Sequence, residues 1–135
     1  MPPEAREGIL KGLYRFRGPM VGTQTPVVHL LGSGTIMNEV LRAQELLAEK
    51  YGIAADVWSA TSYKQLYRDA TACEHWNLHH PGEPARAPWV SQCFGGSSAV
   101  FVAASDYIKA LPDSIGRWLP GPLFALGTDG FGRSD

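Results

Sequence analysis

The chain has 135 residues, 44% of them apolar, which suffices for one domain with a hydrophobic core and leaves no room for two domains of ordinary size. Its 12 basic and 13 acidic residues give a net charge of −1, which argues against a dedicated nucleic-acid-binding protein. Two cysteines are too few for a multi-bridge disulfide framework, and neither a secretory signal nor an uninterrupted apolar span is visible, so we expect a cytoplasmic protein.

The first part of the chain predicts a linker and then an edge strand. Residues 1–8 are predicted to be a linker, because Pro2 and Pro3 favour extended backbone. Residues 13–17 alternate, with Tyr14 and Phe16 on one side and two arginines on the other. A period of two with charges on one face is typical of a half-exposed strand at the edge of a sheet.

The next segment predicts a buried strand followed by a helix. Residues 26–31 are almost continuously apolar, which is typical of a central parallel strand that is covered on both faces. Residues 35–51 then carry apolar side chains at helical spacing, and Gly52 suits the position just after the helix.

The remaining elements continue the alternation of strands and helices. We predict strands at residues 56–60, 99–103 and 122–126, a helix that begins after a Ser62–Gln65 capping box, and an irregular connection over residues 76–90. A further helix is predicted from Asp106 through Trp118, with Pro112 in its first turns or at a kink. This order predicts an α/β fold with a mostly parallel sheet between two layers of helices.

Gly32, Ser33 and Gly34 form a candidate anion-binding turn between a buried strand and a helix. The third glycine of the dinucleotide fingerprint is missing, because Met37 stands in its place, and no P-loop lysine follows. Two interpretations stay open. The glycines either allow a tight turn and close helix packing, or they cradle an anion in a stand-alone anion- or nucleotide-binding module.

Candidate metal ligands and nucleophiles cluster between residues 73 and 93 without a specific signature. The cluster lacks paired Cys-x₂₋₄-Cys knuckles, so we expect no metal site. No Gly-x-Ser-x-Gly elbow or pair of neighbouring carboxylates is present, so we predict no catalytic residue and no cofactor-binding residue in this chain. The members of the cluster are Cys73, His75, His79, His80 and Cys93.

The glycine-rich end of the chain is a candidate interface loop. It follows a predicted parallel strand, at the edge of the sheet where such folds meet ligands or other domains. Asp129, Phe131 and Arg133 are its candidate contact residues, and a local structural turn is the alternative.

Several motifs, in register from Glu7 to Asp135, resemble the carboxyl-terminal, transketolase-like domain of the homodimeric bacterial pyruvate dehydrogenases. They include residues 30–34 and Cys73-Glu74-x-Trp76-Asn77-x-x-His80-Pro81. The long final motif, residues 126–135, is the most specific.

The resemblance implies a three-layer α/β/α sandwich over residues 9–135, with a mixed five-stranded sheet whose first edge strand is antiparallel. It also implies a longer homodimeric enzyme that uses thiamine diphosphate and magnesium to decarboxylate pyruvate. That enzyme acetylates the lipoyl group of a dihydrolipoamide acetyltransferase partner. Its cofactors lie in the preceding domains, so the resemblance assigns no catalytic role here. Family members continue past Asp135 into a helix and a tail, so we expect this segment to be truncated before its last helix, with part of one sheet face bare.

Overall fold

The computed structural model describes residues 3–20, 25–108 and 110–128. Its elements are α1 (Pro3–Lys11), β1 (Leu13–Arg17), β2 (Val28–Gly32), a 3₁₀ turn (Gly34–Ile36), α2 (Met37–Tyr51), β3 (Ala55–Ala60), α3 (Tyr63–His79), α4 (Trp89–Phe94), β4 (Val100–Ile108), α5 (Ala110–Asp113), a second 3₁₀ turn (Gly116–Trp118) and β5 (Leu123–Thr128).

The five strands form one mixed sheet in the order β1-β3-β2-β4-β5. β1 pairs antiparallel with β3, and the other three pairings are parallel. The predicted sheet, with its antiparallel first edge strand, is therefore confirmed. Because the chain passes from β3 back across β2 to β4, the connections that follow the neighbouring strands β2 and β4 lie on opposite faces of the sheet.

Helices cover the sheet from both sides and create two cores. On one side α2 packs on β2 and β3 through a core that includes Leu30, Val40 and Val57. On the other side α3, α4 and the segment after β4 enclose a larger core around Leu31, Leu66 and Phe101. β2 is buried on both faces, as its continuous apolar run predicted, whereas β4 is buried on the side of the larger core and only half-buried on the other.

Two sequence predictions about local structure are wrong. Residues 3–11 form a helix rather than an extended chain, because proline fits the first turn of a helix and the Lys11 ammonium pairs with the Glu7 carboxylate at 2.8 Å, one turn away. The helix predicted from Asp106 is also absent, because β4 runs on to Ile108. The helical part that follows is short, and it contains the buried Pro112.

The predicted irregular connection over residues 76–90 is partly helical. α3 continues to His79, and α4 begins at Trp89. The intervening loop is fixed by reciprocal hydrogen bonds between the side chain of Asn77 and the backbone of Arg86. The Arg86 guanidinium also lies 3.8 Å from the centre of the Trp76 ring.

Candidate functional site

A cleft of about 500 Å³ opens at the carboxyl ends of β2 and β3. The turn after β2 forms one wall, the connection from β3 into α3 forms another, and Leu111 of α5 contributes an apolar side chain. Ligands commonly bind at this edge of a parallel sheet. The lining residues are Ser33, Gly34, Ser59, Ala60, Thr61, Ser62, Tyr63, Lys64 and Leu111.

Two of the residues that line the cleft, Ser33 and Tyr63, carry hydroxyl groups that are buried and unpaired. Ser33 is 8% exposed and Tyr63 is 6% exposed, and neither hydroxyl has a hydrogen-bond partner within the described part of the chain. Burial raises the pKa of Tyr63 well above its usual range, so its phenol stays protonated at neutral pH and can donate a hydrogen bond. Unpaired buried polar groups destabilise a fold, and the indole N–H of Trp58 is a third group of this kind among the described residues.

Helix α3 begins at the wall of the cleft with a formed N-cap. The Ser62 side chain accepts a hydrogen bond from the Gln65 amide at 3.1 Å, which is one of the two hydrogen bonds of the predicted capping box. Just before it, the amides of Thr61 and Ser62 both donate to the Gly12 carbonyl. The first-turn amides and the positive end of the helix macrodipole therefore lie beside Tyr63 and Lys64.

A second polar cluster, formed by His29, Asp56 and Ser97, lies near the amino ends of the strands. Nδ1 of the His29 imidazole is 2.5 Å from the Asp56 carboxylate, and Nε2 is 3.0 Å from the Ser97 hydroxyl. This sequence of contacts, from a carboxylate to an imidazole to a serine hydroxyl, is the one found in the catalytic triad of serine hydrolases. However, the His29 ring is buried against Phe94 and Phe101, with ring centres 4.9 and 4.8 Å away. We interpret the cluster as a structural hydrogen-bond network that links β2, β3 and the loop before β4.

Comparison with known proteins identifies the family. The family model described as "Transketolase-like TK C-terminal domain" matches residues 12–135. The chain belongs to this family. Its five-stranded sheet, with an antiparallel β1–β3 pair, is the architecture expected for the transketolase-like domain.

Curated relatives of this transketolase-like domain are named "Pyruvate dehydrogenase E1 component". The protein from Pseudomonas aeruginosa is 45% identical over 136 residues, and the one from Escherichia coli K12 is 43% identical over 136 residues. Each alignment covers 100% of this chain and 15% of the relative. The relative from Mycolicibacterium smegmatis is 44% identical, over 96% of this chain and 14% of its own length. The chain thus spans about one seventh of the length of these relatives.

The predicted anion turn of the transketolase-like domain divides into two parts. A Cβ atom on Gly32 would lie 2.9 Å from both the Met37 sulfur and the Val40 side chain, so this glycine allows α2 to approach β2 closely. Ser33 and Gly34 instead line the cleft, and Gly34 has a φ of 61°, which suits glycine. The packing interpretation therefore applies to Gly32, and the anion hypothesis remains for Ser33 and Gly34.

Sequence reasoning missed Tyr63 and Lys64 as members of the cleft. The apolar position of Tyr63 in the α3 pattern predicted a core side chain, and the structure confirms that it packs in the larger core, although the residue also lines the cleft. The available signal was its place in the first turn of a helix that follows a buried parallel strand. It missed the His29–Asp56–Ser97 cluster as well, because its members are 27 and 41 residues apart in the chain.

Of the residues that were considered as metal ligands, His75 and His79 lie side by side with ring centres 4.4 Å apart, and no third ligand joins them among the described residues. His75 and His79 are exposed on α3, whereas His80 stacks on Trp76 with ring centres 4.1 Å apart. Within residues 3–20, 25–108 and 110–128, no three histidine, cysteine or acidic side chains are grouped as metal ligands would be. Cys73 and Cys93 are free thiols, and burial raises the pKa of both, that of Cys93 to about 12.

Two remaining expectations concern the end of the chain and the membrane. The candidate loop residues Asp129, Phe131 and Arg133 lie outside the described residues. In the part of the chain that the structure describes, no helix combines the length and the apolar character needed to cross a membrane.

Proposed function

We propose that this chain is the C-terminal domain of a pyruvate dehydrogenase E1 chain and that its role is structural. The main support is the alignment of the whole chain with E1 components from several bacteria. On this proposal the complete protein is a cytoplasmic homodimer that decarboxylates pyruvate with thiamine diphosphate and magnesium. It then acetylates the lipoyl group of an acetyltransferase partner. The domain packs on the preceding cofactor-binding domains and supports the dimer, with Asp129, Phe131 and Arg133 in that interface.

An exposed apolar face on β5 supports the packing role. Phe124 and Leu126 are 57% and 58% exposed, and they pair in register with Val102 and Ala104 of β4. Helix α2 packs on the β2–β3 part of the same face. We propose that a helix following residue 135 in the longer protein covers the β4–β5 part, since exposed apolar patches on a sheet usually bind another surface.

The residues of the cleft do not fit thiamine diphosphate with its magnesium ion. A magnesium ion that bridges phosphates is normally held by carboxylate or other oxygen ligands. The cleft lining has one charged residue, Lys64, and no carboxylate. We therefore assign no step of the reaction to this domain, and the proposal places the cofactor in other parts of the complete protein.

The proposal is tested on the protein encoded by the complete reading frame that contains this segment. We expect that protein to decarboxylate pyruvate only when both thiamine diphosphate and magnesium are added. Release of carbon dioxide from labelled pyruvate, with the acetyl group captured on a lipoyl domain, measures both half-reactions. A reading frame without upstream cofactor-binding domains, or a complete protein inactive on pyruvate, would refute the assignment.

A further inference from the structure

We propose that the imidazoles of His75 and His79, on helix α3, form a surface site for a divalent transition-metal ion that prefers nitrogen ligands, namely Cu²⁺ or Ni²⁺. The proposal does not depend on the function proposed above. Three observations support it: the spacing of the two histidines on the helix, the distance between their rings, and the groups around them.

The two histidines stand four residues apart in a regular helix. α3 runs from Tyr63 to His79, and residues four apart in a helix project from the same face, with Cβ atoms about 5–6 Å apart. Two histidines at this spacing bind one metal ion through both rings in the His-Glu-x-x-His helices of zinc enzymes. The backbone of α3 therefore holds His75 and His79 in an arrangement that suits a bidentate site.

The two imidazole rings are already close together. Their centres are 4.4 Å apart and their planes are inclined by 61°. A metal ion about 2 Å from one nitrogen of each ring lies about 3 Å from each ring centre. Two rings at adjacent positions of a square-planar ion, about 90° apart, then have centres about 4–5 Å apart. The observed separation lies in this range, and both residues are exposed, so rotation of the side chains can direct one nitrogen of each ring to the ion.

The nearest positions on this face of α3 carry no positive charge. Thr71 and Ala72 stand one turn before His75, and Leu78 stands one turn after it. Leu78 is 76% exposed, so the face is open to solvent beside the two rings. A cation bound by His75 and His79 therefore meets no repulsion from a lysine or arginine at these positions of the helix.

The other candidate ligands near the pair already have partners. Nδ1 of His80 is 2.7 Å from the Trp76 carbonyl, and the two rings stack. The Glu74 carboxylate accepts a hydrogen bond from the Arg117 guanidinium at 2.7 Å. No third ligand joins the pair among the described residues. The two histidines are therefore the protein ligands of the site, and water completes the coordination of the ion.

The ligand chemistry selects the class of ion. Imidazole nitrogens suit copper, nickel and zinc, whereas Mg²⁺ prefers oxygen ligands. Affinity for a nitrogen site rises from Ni²⁺ to Cu²⁺ and falls again at Zn²⁺. A ring separation that fits adjacent positions of a square-planar ion favours Cu²⁺ and Ni²⁺ over tetrahedral Zn²⁺. We expect Cu²⁺ to bind most tightly and Mg²⁺ not to bind.

The test is a titration of the 135-residue chain with the chlorides of Cu²⁺, Ni²⁺ and Mg²⁺ at pH 7, followed by amide NMR and calorimetry. Dispersed amide signals also show that the chain is folded. Cu²⁺ is paramagnetic, so it should first broaden the signals of residues 74–80, with one ion bound per chain. Ni²⁺ should affect the same residues with lower affinity, and Mg²⁺ should leave all signals unchanged.

Variants of α3 test whether the spacing of the pair matters. His79→Gln should weaken Cu²⁺ binding at least about tenfold, because even the loss of a second-shell partner costs that much. Lys64→His/His79→Gln keeps the number of histidines but places the new one about three turns from His75, so binding should stay weak. Thr71→His/His79→Gln restores a spacing of four residues and should recover affinity to within about threefold of the original chain. Circular dichroism checks that each variant is folded.

Three results would overturn the proposal. The first is the absence of Cu²⁺-dependent broadening at residues 74–80 when one equivalent of the ion has been added. The second is equal Cu²⁺ affinity in the original chain and in the folded Lys64→His/His79→Gln variant, which would mean that the spacing has no role. The third is binding of one ion by two chains, which would show that a single pair of histidines does not form the site.

Discussion

The buried polar side chains of this domain are of two kinds. His29 has a partner on each ring nitrogen, and the carboxylate of Asp56 is also 3.6 Å from the Arg15 guanidinium. Ser33 and Tyr63 have no partner among the described residues. The indole N–H of Trp58 belongs to the second kind as well. Groups of the first kind stabilise the fold and groups of the second kind cost stability, so substitutions should change stability in opposite directions.

His29→Leu should lower the free energy of unfolding by about 2–3 kcal/mol. The change leaves the Asp56 carboxylate buried without its imidazole partner, and removing one member of a buried pair is strongly destabilising. Urea denaturation measures the effect. The exposed His79→Leu is the matched control and should change stability by less than about 0.5 kcal/mol. A His29 variant as stable as the control would contradict a stabilising role for the His29–Asp56–Ser97 network.

Cys93 should react with iodoacetamide at least about 100-fold more slowly in the folded chain than in urea at pH 8. Burial raises its pKa to about 12, only partly offset by the positive charge of Lys11, so little thiolate is present at that pH. Because the pKa is raised, the rate should continue to increase as the pH rises from 8 toward 12. Mass spectrometry of the alkylated peptide gives the rate. Equal rates in the folded and unfolded chain would contradict the assignment of a buried thiol.

At the scale of elements, the end of α2 shows how a single glycine fixes a boundary. Gly52 has a φ of 63°, and its amide donates to the Ala48 carbonyl, which completes the last turn. A Cβ atom at this position would meet no neighbour within 4 Å, so any cost of substitution comes from the backbone conformation.

Gly52→Ala should therefore cost about 1 kcal/mol of folding free energy, because a left-handed backbone disfavours alanine. Gly82→Ala is the matched control, since Gly82 also lies in open space but does not have a positive φ. Thermal unfolding compares the two variants. If both shift the melting temperature equally, backbone strain at Gly52 is not the cause.

The elements that the sequence predicted correctly are those with strong local signals. The alternating β1 and the uninterrupted apolar run of β2 lie close to where they were expected, and so does the Gly52 end of α2. The β4–α5 region was mispredicted because Tyr107 and Ile108 suit a strand as well as a helix, and Pro112 cannot decide between them. The cleft could be predicted only in part, because its walls, the turn after β2 and the start of α3, are brought together by tertiary packing.

At the scale of the whole molecule, the unevenly covered sheet is the main indication of packing against another segment. Replacing both Phe124 and Leu126 with serine in the 135-residue chain should reduce self-association and the fluorescence of bound ANS, because the exposed apolar area shrinks. In the complete protein the same change should lower the melting temperature by several degrees. Leu78→Ser, at a 76%-exposed position on α3, is the control and should have little effect in either protein. A complete protein unaffected by the double substitution would contradict a covered β4–β5 face.

The role proposed for the domain is tested most directly by calorimetric titration of the folded 135-residue chain with thiamine diphosphate and magnesium. Near-ultraviolet circular dichroism first establishes that the aromatic core is ordered. The account predicts no cofactor-dependent heat at micromolar concentrations, because the cleft offers no carboxylate to hold a magnesium diphosphate. Tight, magnesium-dependent binding of thiamine diphosphate by this chain alone would contradict it.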